Sequence, residues 1–380
     1  MERTQRDRLL RRLVEWRAPS GILCVYVDAD PADRGQAWRI VLRDRLRELA
    51  KSTAARDPAG FEAAARRVLE HFPENGPPPE GRGHAGFVEV ASNPAEVWRA
   101  MQMPPRRTEL VDAQRPYLRP LVELFGRWPD VGAVLVSAER ARLLDWSLGS
   151  LRELDDWEIT LWSLDWRERK AQRSRPGARG GMTSASGRDQ FDQRLEANRQ
   201  RFLRELGERV GAELSGREWR HLIAFGAEPH VEQFAHGLDP AVQQRLHVVP
   251  HDLISVGEGE LARRVEEEVR ELRRAREDAY IREVEEAVGS SAGAALGPQE
   301  TLEALAEGRV HHLIFDPERD YEEPALTESI ARAGDIDDGS PVAERLIELA
   351  VETGAEITCV GDEAAEALGD HDGVAGLLRY

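Results

Sequence analysis

Lysine is nearly missing from this chain. Of its 52 basic residues only Lys51 and Lys170 are lysines, and the rest are arginines. Such a bias fits a GC-rich genome, and it warns against reading each arginine as a nucleic-acid contact. Cysteine is almost as scarce. Cys24 and Cys359 lie far apart, each inside an apolar run and neither with metal-ligand spacing. Buried, reduced thiols are expected there, not a disulfide framework or a zinc site. No run of about 18 apolar residues occurs, so no membrane partner is expected. The opening MERTQRDRLLRRLVEW has no apolar signal core and reads as a charged helix; a cytoplasmic location is the expectation. Nothing matches a phosphate-binding loop, a GxSxG elbow or a GxGxxG turn in a strand–helix setting.

Metal ligands are also missing in any useful pattern. His311 and His312 are adjacent ahead of an apolar strand, where neighbours face opposite sides, and His230 and His236 are six apart. Asp28 and Asp30 in VYVDADP could suggest a carboxylate pair, but no further ligands converge on them, and Asp before Pro is ordinary turn chemistry. No cofactor and no metal are expected. The net charge of −18 argues against a chain that coats nucleic acid, and no DNA partner is expected; a local basic patch remains open.

What is present is length and alternation. At 380 residues the chain exceeds one ordinary domain, and the pattern predicts three α/β domains, at 1–128, 129–275 and 276–380. The first has a buried strand, ILCVYVDAD, then two helices, a breaker-rich loop NGPPPEGRGHAG, a strand FVEVA, and a Pro-opened helix ending near Trp128. The second has three meandering strands, AVLVSA, ARLLDWSLG and WEITLWSLD, then a long helix from about 187 to 214 and a buried strand WRHLIAFGA. Trp146, Trp157, Trp162 and Trp166 cluster in these strands and read as core, with Trp166 placed for exposure. A charged helix from Glu258 to Val288 connects onward, GSSAGAALG reads as a linker, and the third domain alternates helix and strand as an α-β-α sandwich. Gly308 and Gly354 stand where helix C-caps belong.

Between the third strand and the long helix lies RSRPGARGGMTSASGRDQF. Arg167, Arg169, Lys170, Arg173, Arg175, Arg179 and Arg188 face one acid, Glu168, over residues 167–188. Positive charge at this density favours phosphate contact with strong salt dependence. The plainer alternative is a solvated, Arg-biased loop. Arg194, Arg199 and Arg201 on the following helix could extend the patch, or Glu196 and Glu205 could pair with them at helical spacing.

The carboxy-terminal stretches LEALAEGRVHHLIFD, LIELAVETGAEITCVGD and DGVAGLLRY, with Gly373, Gly376, Leu378, Arg379 and Tyr380 closing the last, resemble the C-terminal domain of the archaeo-eukaryotic class-I release factor and Pelota family. The basic Gly-rich loop followed by a long helix resembles that family's ribonuclease-H-like central domain. No Asn-Ile-Lys-Ser match appears, and VYVDADP resembles the start of bacterial members, whose N-terminal domains are distinct.

The resemblance implies a factor that binds the ribosome, its rRNA and tRNA, without reading codons, in rescue or hibernation; a translational GTPase is a candidate partner. In the family the loop carries Gly-Gly-Gln into the peptidyl-transferase centre, where the glutamine positions water against the peptidyl-tRNA ester. Here Gly180 and Gly181 are followed by Met182, whose thioether cannot orient water as an amide does. Gln172 and Gln190 are the candidate replacements. Three readings therefore stand: an occupying factor that does not cleave, a peptidyl-tRNA hydrolase with a displaced glutamine, and an α/β stress-associated protein with no ribosomal role.

Overall fold

The computed structural model describes residues 3–29, 36–53, 56–73, 79–158, 184–217, 219–289, 293–323 and 341–379. The fold is mixed α/β with three sheets. The chain divides into two compact units: Arg3–Trp128 together with Arg270–Tyr380, and Pro129–Val269.

The first unit holds two sheets. One has the order β3-β2-β1-β4, from β1 (Ile22–Asp28), β2 (Gly83–Glu89), β3 (Glu96–Met101) and β4 (Glu109–Ala113). The run ILCVYV is buried at every position, as suits a central strand covered on both faces. Leu23, Val25 and Val27 pack with Trp38, Leu42, Phe61 and Val68 of α2 (Ala37–Thr53) and α3 (Pro58–His71). Asp57 caps α3, accepting from the Gly60 N–H at 2.9 Å. α1 (Arg3–Val14) precedes the sheet and α4 (Arg119–Arg127) follows it. β3 and β4 escape a reading by apolar pattern, because EVWRAM and ELVDA are polar edge strands.

The other sheet has the order β10-β13-β11-β12, from β10 (Ala294–Leu296), β11 (Val310–Phe315), β12 (Glu356–Cys359) and β13 (Val374–Leu378). β11 and β12 run parallel. α9 (Gly297–Ala306), α10 (Val342–Thr353) and α11 (Asp362–Leu368) alternate with the strands. The supposed linker over 289–297 is corrected here: Ala294–Leu296 pairs antiparallel with Leu377, Gly376 and Ala375. Small residues there disguise a strand, since alanine and glycine carry little β signal. Gly308 and Gly354 both adopt φ +71° just past their helices, as left-handed caps require. The two neighbouring histidines part as strand geometry demands: His311 is exposed, while His312 is buried, 2.8 Å from the Thr358 hydroxyl and edge-on to Tyr280.

The second unit holds a sheet of order β7-β6-β5-β8-β9, from β5 (Val131–Val136), β6 (Arg140–Ser147), β7 (Ser150–Glu158), β8 (His221–Gly226) and β9 (Leu246–Val249). β5, β8 and β9 are parallel, while β6 and β7 form antiparallel hairpins. α5 (Ser184–Gly216), α6 (Glu228–His236) and the short α7 (Pro240–Gln243) complete the crossovers. α8 (Glu258–Gly289) starts in this unit and ends in the other. The third strand of the meander is SLRELDDWE, so the expected WEITLWSLD is corrected: only Trp157 and Glu158 of it fall in β7, and 159–165 lie outside the described residues. Trp146 is fully buried and Trp157 packs at the core margin; Trp162 and Trp166 lie outside the described residues.

Gly132 on β5 lies beneath the Trp219 ring, where an added Cβ would come within 2.3 Å of ring carbon. Gly132→Ala is expected to cost about 1–3 kcal/mol by overpacking, read as a lowered urea midpoint. Gly259→Ala meets nothing within 4 Å and should leave the midpoint unchanged or slightly raised.

Candidate nucleic-acid interface

Of the candidate loop residues, Arg167, Arg169, Lys170, Gln172, Arg173, Arg175, Arg179, Gly180, Gly181 and Met182 lie outside the described residues. Arg188, Gln190 and Arg194 fall on the backbone of α5, with their side chains outside the described set. What the structure describes is the frame: the loop leaves from the end of β7 at Glu158 and re-enters at Ser184, the first residue of α5.

β7 is an edge strand with an acid-rich, mostly exposed sequence, and its charges are matched across the hairpin. Arg140 makes a two-pronged bond to Asp156, at 2.9 and 2.6 Å. Arg142 Nε reaches Glu153 at 2.8 Å, and Arg152 reaches back to Asp145 at 3.1 Å. The hydrogen bond from Arg140 holds the Asp156 carboxyl below the usual carboxylate range. Asp145 also accepts from the Trp219 indole N–H at 2.8 Å, which ties β6 to the approach of β8. Such pairs on an open edge contribute little stability, but a charged edge discourages pairing with a stray strand.

α5 is 33 residues long, about 50 Å at 1.5 Å per residue. Its apolar stripe is Leu203, Leu206, Val210 and Leu214, all buried against Val134, Val136, Ala141 and Leu143 of the sheet. Phe202 is the first of its described residues to join that core. From this foot Arg209 reaches over the Trp157 ring at 5.8 Å and lies 3.9 Å from Asp155, so the foot is pinned to the strand that launches the loop. Ser184, where α5 begins, thus lies 18 residues ahead of Phe202 (202 − 184).

On α5, Arg199 is held by Glu196 at 3.1 Å. Of the two readings left open for Arg199, this is the intrahelical pair that a spacing of three residues favours. Arg201 and Arg204 are exposed and have no ion-pair partner among the described residues. Arg204 was missed by sequence reasoning; its signal is its place three residues after Arg201, on the same helical face.

Elsewhere in the unit, His247 and Glu268 meet at 2.9 Å. His221 is pushed down to about 4 by burial first, then by Arg220, Arg245 and His247. Among the described residues no group of three or more His, Cys, Asp or Glu could hold a metal ion, and no helix is long and apolar enough to cross a membrane.

Residues 129–270 match the model of Bacterial archaeo-eukaryotic release factor family 5, a span that nearly coincides with the unit Pro129–Val269. Over that span the chain is similar to the bacterial archaeo-eukaryotic release factors. Among solved structures, it is similar to the archaeal translation termination factor aRF1, at 16% identity and TM-score 0.27, covering 100% of this chain and 99% of that one. A ribosome-bound archaeal Pelota is similar at 14% identity and TM-score 0.43, over 78% of each chain. Dom34 of S. cerevisiae, a translation termination-like factor interacting with Hbs1, gives 10% and 0.43, over 78% of this chain and 80% of that one. No curated protein matches the chain.

His221 is neutral in the fold at pH values where the unfolded chain protonates. Stability is therefore lost as pH falls from about 6.5 towards about 4. His221→Gln should flatten part of that loss in urea midpoints compared at pH 7 and pH 5.

Proposed function

We propose that this chain is a ribosome-associated translation factor of the rescue or hibernation type. It presents its basic Gly-rich segment, residues 167–188, towards the peptidyl-transferase centre and reads no codon. The observation that carries this reading is the family match over 129–270, which contains the whole basic segment and both elements that flank it. The three-part organisation, 1–128, 129–275 and 276–380, belongs to the same proposal, as do rRNA and tRNA as contacts, a cytoplasmic site of action and a translational GTPase as a delivery partner.

Met182 follows Gly180 and Gly181 where the family reading wants glutamine. A thioether is a weak acceptor and no donor, so occupation without ester cleavage is the favoured mode. Arg201 and Arg204 supply exposed charge on α5 for the same RNA surface.

The test is pelleting with ribosomes that hold peptidyl-tRNA and an empty A site, with ester hydrolysis scored in the same tubes. Co-sedimentation at low salt without release is expected. Arg173→Ala, Arg175→Ala and Arg179→Ala together should weaken binding and lower the slope of log affinity against log salt by up to about three. Arg201→Glu with Arg204→Glu should weaken binding severalfold and leave the thermal midpoint unchanged. Absence of pelleting at low salt defeats the proposal. Release of the peptide would make the chain a peptidyl-tRNA hydrolase, with Gln172→Ala and Gln190→Ala deciding which glutamine acts.

A further inference from the structure

In the first unit, α10 is buried from Val342 through Ala350, including Glu344, Arg345 and Glu348. Two of these three buried charged residues have charged partners. Glu348 lies 2.5 Å from Arg115 and 3.7 Å from Arg17, and Arg345 pairs with Glu323. Glu344 is different. It is 4% exposed, and no ion pair reaches its carboxylate among the described residues. Its oxygens accept two main-chain N–H groups, from Leu118 at 2.7 Å and Arg119 at 2.9 Å. Leu118 is the cap and Arg119 the first residue of α4, so the carboxyl of one end of the chain closes the open N-terminus of a helix from the other.

The groups around it leave the charge poorly compensated. Arg119 is the nearest cation, but its Nε donates to the Tyr117 hydroxyl at 2.9 Å. Tyr26 donates to the Tyr117 carbonyl at 2.6 Å, and the Cys24 sulfur accepts the Tyr117 N–H at 3.1 Å. From β4, Glu109 adds negative charge near Tyr117 and Arg119. On α10 itself Glu348, one turn along, repels. From α1, Arg6 is committed to the carbonyls of Phe125 and Trp128. A carboxylate buried without its own cation is costly, and taking up a proton is the usual escape.

We propose that Glu344 is an acid-tightened latch between residues 3–128 and residues 270–379 of the first unit, carrying a proton while the two parts are joined and releasing it when they separate. Burial pushes its carboxyl up from the ordinary 4.5 to about 7, against the lowering effect of the two N–H bonds and Arg119. The sign follows by linkage. The joined state binds a proton that the separated state gives up between pH 4.5 and about 7. The joint is therefore firmest at the acid end of that window, weakens as pH rises through it and is level above it. Across the window the joining equilibrium shifts on the order of a hundredfold, at tenfold per pH unit with the proton fully retained.

The test uses the full chain and reads hydrogen-exchange protection factors of the peptide covering 118–119 at pH 5, 6 and 7.5, corrected for the intrinsic rate. In the wild type, protection there should fall by at least tenfold from pH 5 to pH 7.5. Glu344→Gln cannot ionise and should lose that dependence, while Glu348→Gln should keep it. The histidines buried in the fold act in the opposite direction and are common to all three proteins, so the difference between them isolates Glu344. The same slope in Glu344→Gln as in the wild type overturns the latch, and Glu344→Ala is compared in its place if that variant does not fold.

Discussion

The contact on which the first unit depends is the Glu344 carboxyl against the open N-terminus of α4. It joins positions 226 residues apart, and flanking bonds repeat the same joining: Arg115 to Glu348 spans 233 residues. A unit closed by such contacts cannot be complete until α10 exists. Non-local closure of this kind is entropically slow. The buried faces of α10 and α4 make sense in these terms. Their charged residues are not surface decoration but the fastening of one end of the chain to the other.

Some of this was legible in the residues. ILCVYV announced a doubly covered strand, and LIELAVETG announced a buried helix with its glycine cap, because continuous apolar runs and left-handed glycines have few other uses. β7 was misplaced, since what holds SLRELDDWE in the sheet is cross-strand charge with Arg140 and Arg142, a signal that exists only once the partner strand is known. β10 was taken for a linker because AAL carries almost no propensity and takes its state from β13. Glu344 could not be singled out at all: in sequence it is one acid among 70 Asp and Glu residues, and only the packing makes it unusual. The candidate loop rests on charge density alone, and its residues 167–183 lie outside those the structure describes.

The arginine bias becomes informative after the pairs are assigned. In the second unit Arg140, Arg142, Arg152, Arg199 and Arg217 are all engaged with carboxylates. These arginines serve pairs within the unit, and exposed arginines without such a pair offer positive charge outward. On α5, among the described residues, these include Arg201 and Arg204, which flank the core residues Phe202 and Leu203. Charge offered on a packed helix costs less to immobilise on binding than charge on a free coil.

Attachment and chemistry then separate. Phosphate contacts made by arginines supply affinity that fades with salt, and they need no particular residue at position 182. Ester cleavage needs a group that both donates and accepts at the attacking water, and methionine does neither well. On the proposed reading, Arg173, Arg175 and Arg179 around Gly180 and Gly181 serve binding, while Met182 stands where cleavage would need an amide. Occupying a site and cleaving in it are distinct demands on the same few residues, and the proposed function asks only the first of this sequence.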